Sequence, residues 1–238
     1  MSASKASGGE YGEDRTLEFT FTRTGSLDQP MSLAYTTSGT AVAGIDFTAL
    51  PGVVTIPAGQ ESAKVTVEIR SDASAEGDET VVLSLIPNES YISRNPVSAA
   101  ATIKDRPLHA YLHASGVGAA EGDDDGDGMP NLLEYFMGTA ASESSSVSSL
   151  VAVANRDGSF SARFPHAKAA SDLSSAVEWS TDLVNWHRSG DSDGRRTGTI
   201  ATQRVSPEEE DPETIEAVLT ITAGPAPQTV YLRLAVTP

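Results

Sequence analysis

The chain has 238 residues and a formal net charge of −17, from 33 Asp plus Glu against 16 Lys plus Arg. Acid in this excess excludes attraction to nucleic-acid phosphates or anionic membranes, and it suits a chain whose charge is offset by bound cations. With no cysteine there are no disulfides and no zinc–thiolate sites; no apolar run reaches the roughly 18 residues a membrane span needs, and the length admits one large or two ordinary domains.

In chain order, residues 1–9 are polar and read as an unstructured start without a signal-peptide pattern, as expected of a piece of a longer exported protein. Residues 10–106 then alternate apolar and polar positions between turn signals. Leu17, Phe19 and Phe21 alternate with Thr and Glu. Met31, Leu33 and Tyr35 follow, then Val53, Val54 and Ile56, then Ala63, Val65, Val67 and Ile69. Val81, Leu83 and Leu85 repeat the pattern, and Val97, Ala99, Ala101 and Ile103 close it. Short strands of period two with no helical period predict an antiparallel β-sandwich.

Three motifs in this region resemble the Calx-beta family in order and spacing. They are Tyr35-Thr-Thr-Ser-Gly-Thr-Ala-Val-Ala-Gly-Ile-Asp-Phe47, Pro51-Gly-Val-Val-Thr-Ile-Pro-Ala-Gly59 and Glu76-Gly-Asp-Glu79. The resemblance implies a calcium site at one end of the sandwich. Carried over residue by residue, its ligands fall on Glu10, Asp46, Asp72, Glu76, Glu79 and Asp105, with Asp78 facing solvent. The chain departs from the family at Ser71, where a first Asp is common, and at Arg106, where the closing Asp cluster is cut short. An arginine there is able to pair with the carboxylates and replace an ion, so one calcium is expected at this end and not several.

Residues 107–140 read as a linker. Leu108–Ala114 is expected to form one or two helical turns, with His109 and His113 on one face as surface or contact histidines, since no third zinc ligand is in view. The stretch Glu121–Gly138 is more informative. From Asp123 it reads Asp-x-Asp-x-Asp-Gly, five residues, then Glu134, the spacing of a twelve-residue calcium loop of EF-hand type. Calcium is a hard cation that takes six to eight oxygens, which carboxylates and carbonyls at these positions supply. Asp123, Asp125 and Asp127 occupy positions 1, 3 and 5, and Gly128 the sharp turn. Met129 offers its carbonyl at position 7, Asn131 stands at position 9 and Glu134 is bidentate at position 12. Pro130 has no N–H for the exchange that paired hands make, and the glycines before Asp123 oppose an entering helix. Only the exiting helix is expected, from beside Pro130 to Gly138 and buried against neighbouring domains. The motif resembles the single-helix calcium loops of dockerins and of large bacterial extracellular proteins.

Thr139–Ser149 reads as a joint or surface loop, and residues 141–238 as a second β-sandwich with strands around Val151, Phe160–Phe164, Val177–Trp179, Ile200, Ile215–Ile221 and Val230–Val236. Val177–Trp186 and Tyr231–Val236 resemble a sandwich module of bacterial surface and secreted proteins, which supports architecture only. Asp191–Arg196 and Pro207–Glu213 are expected hairpin loops with solvated charge. Trp179 and Trp186 belong to core or hairpin packing or, alternatively, stack on sugars.

The fold class expected is mainly β, with two antiparallel β-sandwich domains joined by a short helical segment that carries the EF-hand-like loop. There is no nucleophile elbow, phosphate loop or His-Glu-x-x-His motif, and the four histidines are scattered, so no enzyme is expected. The function expected is a Ca2+-binding, calcium-rigidified structural or adhesive region of an exported bacterial multidomain protein, secreted or at the cell surface. Two rivals stand beside it: a carbohydrate-binding accessory region of a polysaccharide-degrading enzyme, and a C-terminal surface-sorting region. Expected partners are a glycan or another surface protein, with no nucleic acid and no membrane insertion, and the fragment is expected to be monomeric.

Overall fold

The computed structural model describes residues 1–144 and 151–238; the joint expected over Thr139–Ser149 lies outside them from residue 145 on. The chain is mainly β and divides into two compact units, Met1–His113 and Ala114–Pro238. The expected linker 107–140 is thereby shared. Its first helix closes the first unit, while the acidic loop and second helix open the second.

In the first unit, β1 (Ser2–Lys5), β3 (Thr16–Thr22) and β6 (Ser62–Glu68) form a three-stranded antiparallel sheet. The facing sheet runs β2 (Ser7–Gly9), β8 (Ser98–Lys104), β7 (Glu79–Leu85), β4 (Met31–Ser38), β5 (Val53–Ile56). Alternation places Leu17, Phe19, Phe21, Val65, Val67, Val81, Leu83 and Ile103 between the sheets, all buried. Helix α1 (Pro107–Ser115) follows β8 and buries Leu108 and Leu112.

The first nine residues correct the expectation of an unstructured start. β1 pairs with β3, and β2 runs parallel to β8, so this segment contributes to both sheets. Edge strands are held by main-chain bonds and tolerate polar sequence, which is why hydropathy did not reveal them. Gly8 is required there: a Cβ would lie 2.7 Å from both the Ile69 side chain and the Thr16 carbonyl oxygen.

The second unit contains helix α2 (Asn131–Met137), a four-stranded sheet in the order β12 (Thr197–Arg204), β13 (Glu213–Ala223), β10 (Phe160–His166), β9 (Val151–Ala154), and the pair β11 (Ser174–Ser180) with β14 (Tyr231–Thr237). Trp179 is fully buried and donates from Nε1 to the Arg188 carbonyl at 3.3 Å. Arg233 lies 4.3 Å over the Trp186 ring. Trp179 is therefore a packing residue, and Arg233 covers one face of the partly buried Trp186 ring.

Seven residues cannot hold a helix by themselves, and α2 is fixed by tertiary contacts. Phe136 packs on Phe164 and His166, with ring centroids 6.2 and 4.7 Å away, and the Tyr135 hydroxyl shares its one proton between the Ala169 carbonyl (2.6 Å) and Asp172 (2.9 Å). The amides of Asn131 and Leu132 donate to the carbonyls of Gly122 and Ala120, both at 2.8 Å, so the glycine-rich entry caps the helix that it cannot itself continue. The helix ends at Gly138, left-handed at φ 76° and 3.3–3.4 Å in Cβ terms from Ala167 and Pro212. Gly138→Ala is expected to cost about 1–2 kcal/mol from the left-handed backbone alone, read as a shift in the urea midpoint of the second unit.

Candidate metal centres

Six acidic residues converge at one end of the first sandwich. Asp46 is placed by the core residue beside it: Phe47 is 1% exposed and anchors a tight turn in which the Asp46 amide donates to the Val42 carbonyl at 3.0 Å. The Val42 amide returns a bond to Asp46 Oδ2 at 2.5 Å, leaving Oδ1 buried without a partner. Asp72 Oδ1 accepts from the Ser74 amide at 2.7 Å. Asp46, Asp72 and Glu76 each bring an oxygen within 4.8 Å of the other two. Glu10, buried after β2, and Glu79, at the start of β7 with Oε2 buried and unpartnered, stand beside this trio.

The electrostatics show what this crowding costs. Burial, then the charges of Asp105, Asp72 and Asp46, push the Glu10 carboxyl up to about 7. Burial and neighbouring Asp46 push Glu79 up to about 7. Glu76 is also raised, by burial and then by Asp72, Asp46 and Asp105. Like charges this close disfavour one another's ionisation unless a cation stands between them.

Asp105 plays a different part from its neighbours. Its Oδ2 accepts from the amides of Glu76 (3.2 Å) and Gly77 (2.9 Å), and its Oδ1 from the Arg106 amide (2.7 Å). Its carboxylate thus ties the end of β8 to the loop that carries Glu76. The Arg106 guanidinium lies 5.6 Å over the Tyr11 ring. Sequence reasoning missed the contribution of α1: His109 Nδ1 is 3.5 Å from Asp105 Oδ1, and His113 Nδ1 is 3.3 Å from the Ala75 carbonyl. A Cβ on Gly77 would meet the His113 ring at 2.9 Å, so the helix packs directly on the acidic loop.

The second centre is the loop before α2. Asp123, Asp125 and Asp127 bring one oxygen each within 4.8 Å of one another. Asp123 accepts from the amides of Gly126 (2.9 Å) and Gly128 (3.0 Å), Asp125 Oδ1 from Asp127 (3.0 Å), and Asp127 Oδ1 from Met129 (2.9 Å). These bonds curl the loop with its carboxylates inward, and the turns fall at Gly126 and Gly128, both at positive φ. Glu134 comes from α2. It is 0% exposed, and neither carboxylate oxygen has a hydrogen-bond partner; Asp125 Oδ2 is likewise buried and unpartnered. Burial pushes the Glu134 carboxyl up to about 7, and the charges of Asp125, Asp127 and Asp123 add to the rise.

Asn131 departs from the expectation that it stands in the ligand arc. It is fully buried, with Nδ2 donating to the Ala119 carbonyl (2.8 Å) and to Asp124 Oδ2 (2.6 Å), while its Oδ1 accepts from the Asp124 amide at 3.4 Å. Its amide group clasps the entry segment to α2, and Asp124, the middle acid of a run read only for its odd members, completes the clasp. Of the expected hairpin loops in the second unit, Asp191–Arg196 carries an internal ion pair, Asp193 with Arg196 at 3.0 Å, and this offsets the acid there.

Residues 10–107 match the family model described as the Calx-beta domain. Among solved structures, the apo form of a Calx CBD1 domain is 27% identical, with 43% of this chain and 90% of that chain covered and a TM-score of 0.38. The calcium binding domain CBD12 of CALX1.1 is 18% identical over 100% of this chain and 81% of its own, with a TM-score of 0.44. CBD12 from CALX1.2 is 16% identical with the same coverage and the same TM-score, 0.44. No curated protein matches the chain.

Proposed function

We propose, from the Calx-beta match over residues 10–107 and the geometry of the two acidic centres, that the chain is a calcium-binding structural region of an exported bacterial multidomain protein. Glu134 is the observation that carries this reading. A fully buried carboxylate with two unpartnered oxygens, facing three aspartates, is costly as a bare anion and favourable as a bidentate ligand. Asp123, Asp125, Asp127, the Met129 carbonyl and Glu134 would hold one ion. Asp46, Asp72 and Glu76, with Glu10 and Glu79 beside them, would hold another in the first unit, and Asp105 supports that cage through the loop amides.

The cation supplies positive charge where the fold has concentrated negative charge, so its binding energy enters the folding free energy. The chain's own residues do the remainder. Asp123 and Asp127 shape the loop, Asn131 closes it, and Phe136 transmits its position to β10. The role is rigidification for adhesion or display outside the cell, where calcium is plentiful enough for carboxylate cages of modest affinity. No catalytic step belongs to this reading.

Calorimetric titration of the chelator-stripped chain tests it. Wild type is expected to bind at least two calcium ions, with Asp46→Asn removing binding in the first unit and Asp123→Asn removing one ion in the second. A wild-type chain that takes up no calcium at millimolar concentration sinks the reading.

A further inference from the structure

We propose that the second unit carries a binding groove for an acidic polysaccharide, one whose repeat contains a uronic acid carboxylate. The groove lies along the connection from β11 to β12 and has two lobes of about 520 and 500 Å³ that share Thr181 and Arg196. The first lobe is lined by Thr181, Asn185, His187, Ser192, Arg195 and Arg196; the second continues to Gln228 and Thr229. Hydroxyls, amides, an imidazole and guanidinium groups are the side chains that hydrogen-bond sugar hydroxyls. A site for an apolar small molecule would have a hydrophobic lining instead.

One guanidinium within the groove is left over for an acidic sugar. Two carboxylates also line it, and both are consumed internally. Asp182 accepts from the amides of Val184 (2.9 Å) and Asn185 (2.8 Å), the Asn185 side chain (2.8 Å) and the Ser180 hydroxyl (3.0 Å). Asp193 accepts from the amides of Arg195 (2.8 Å) and Arg196 (2.7 Å) and from the Arg196 guanidinium (3.0 Å). Among the described residues, the Arg195 guanidinium has no hydrogen-bond or ion-pair partner. In a chain of net charge −17, an uncommitted guanidinium in a polar groove is a conspicuous local donor, and its planar fork matches a carboxylate with two parallel bonds.

The walls are also pre-organised, which lowers the ordering cost of binding. The four bonds to Asp182 hold Leu183 in a left-handed conformation, φ 63°, that a branched side chain adopts only when its surroundings impose it. The same turn leaves Leu183 and Val184 exposed by 55% and 78%, next to the groove-lining Asp182 and Asn185 in the chain. Of the tryptophans that the sequence offered for sugar stacking, Trp179 is fully buried and Trp186 is covered on one face by Arg233.

The test is affinity electrophoresis and calorimetry of the full chain with hyaluronan oligosaccharides, which alternate glucuronate and N-acetylglucosamine, against neutral dextran oligosaccharides. Both are run with calcium and with chelator, at a temperature well below the melting transition. Hyaluronan is expected to bind and dextran not to. Binding is expected to persist in chelator, which separates this groove from the cation centres. Arg195→Ala is expected to weaken binding at least tenfold with an unchanged melting temperature, and Arg195→Lys to fall between. Equal binding of dextran, no binding of hyaluronan, loss of binding on chelation, or wild-type affinity in Arg195→Ala would each overturn the proposal.

Discussion

Stripping calcium from the intact chain is expected to lower the melting temperature of the second unit by roughly 10 °C, and Asp123→Ala to abolish most of the difference. A ligand present at a hundred times its dissociation constant stabilises the folded state by about 2.7 kcal/mol. In a unit of this size each kcal/mol moves the midpoint by several degrees. The effect is local because Glu134 lies on the helix whose Phe136 and Tyr135 dock on β10 and on the segment after it. Without an ion, the buried Glu134 carboxylate opposes the docking that its neighbours favour. Both tryptophans, Trp179 and Trp186, lie in the second unit, so their fluorescence reports its melting separately from the first. Identical tryptophan-monitored melts with excess calcium and with chelator would remove the ion from the stability of this unit.

The pH dependence should carry the same signature. Glu10, Glu79 and Glu134 have folded-state values of about 7 against an ordinary 4.5. Below 4.5 each is protonated whether the chain is folded or not, and the stabilisation from their tighter proton binding is fully present. As pH rises towards 7 the unfolded chain releases these protons first, and above 7 the folded chain has lost them too. The chelated protein should therefore lose stability between about pH 5 and pH 8, by up to roughly 3 kcal/mol for a group that carries the whole shift. Groups held low, such as Glu178 against Arg233 and Glu213 against His166, act in the opposite sense but below this window. Saturating calcium takes the place of the protons, so the decline should vanish with calcium present, and calcium affinity should fall as pH drops below about 7. Urea midpoints at pH 5, 6, 7 and 8 in each condition measure this. An apo stability that rises across the window would contradict the environment assigned to these carboxylates.

Much of this was written in the sequence because it depends on local rules. Strand alternation from Leu17 to Ile103 reports which face is buried, and that needs only the two-residue period of a pleat. The Asp123, Asp125, Asp127 and Glu134 spacing is likewise local, since one tight loop gathers the three aspartates and the helix after it carries Glu134 within reach of their charges. Pro130 and Gly138 bound the helix between them for the same reason: one lacks an amide hydrogen, and the other accepts positive φ.

What only the tertiary structure decided are the pairings between distant segments. Residues 1–9 carry no hydrophobic signal, yet they are strands, because β3 and β8 supply the main-chain partners. Asp105 and Asp46 are both acids at one end of the sandwich, and sequence alone gives them one role. Asp105 faces the amides of Glu76 and Gly77, whereas Asp46 keeps a buried oxygen without a donor. Asn131 stands at the ninth position of the loop, but Asp124 and Ala119 take its side chain. A residue's type sets which bonds it is able to make; the fold sets which partners reach it.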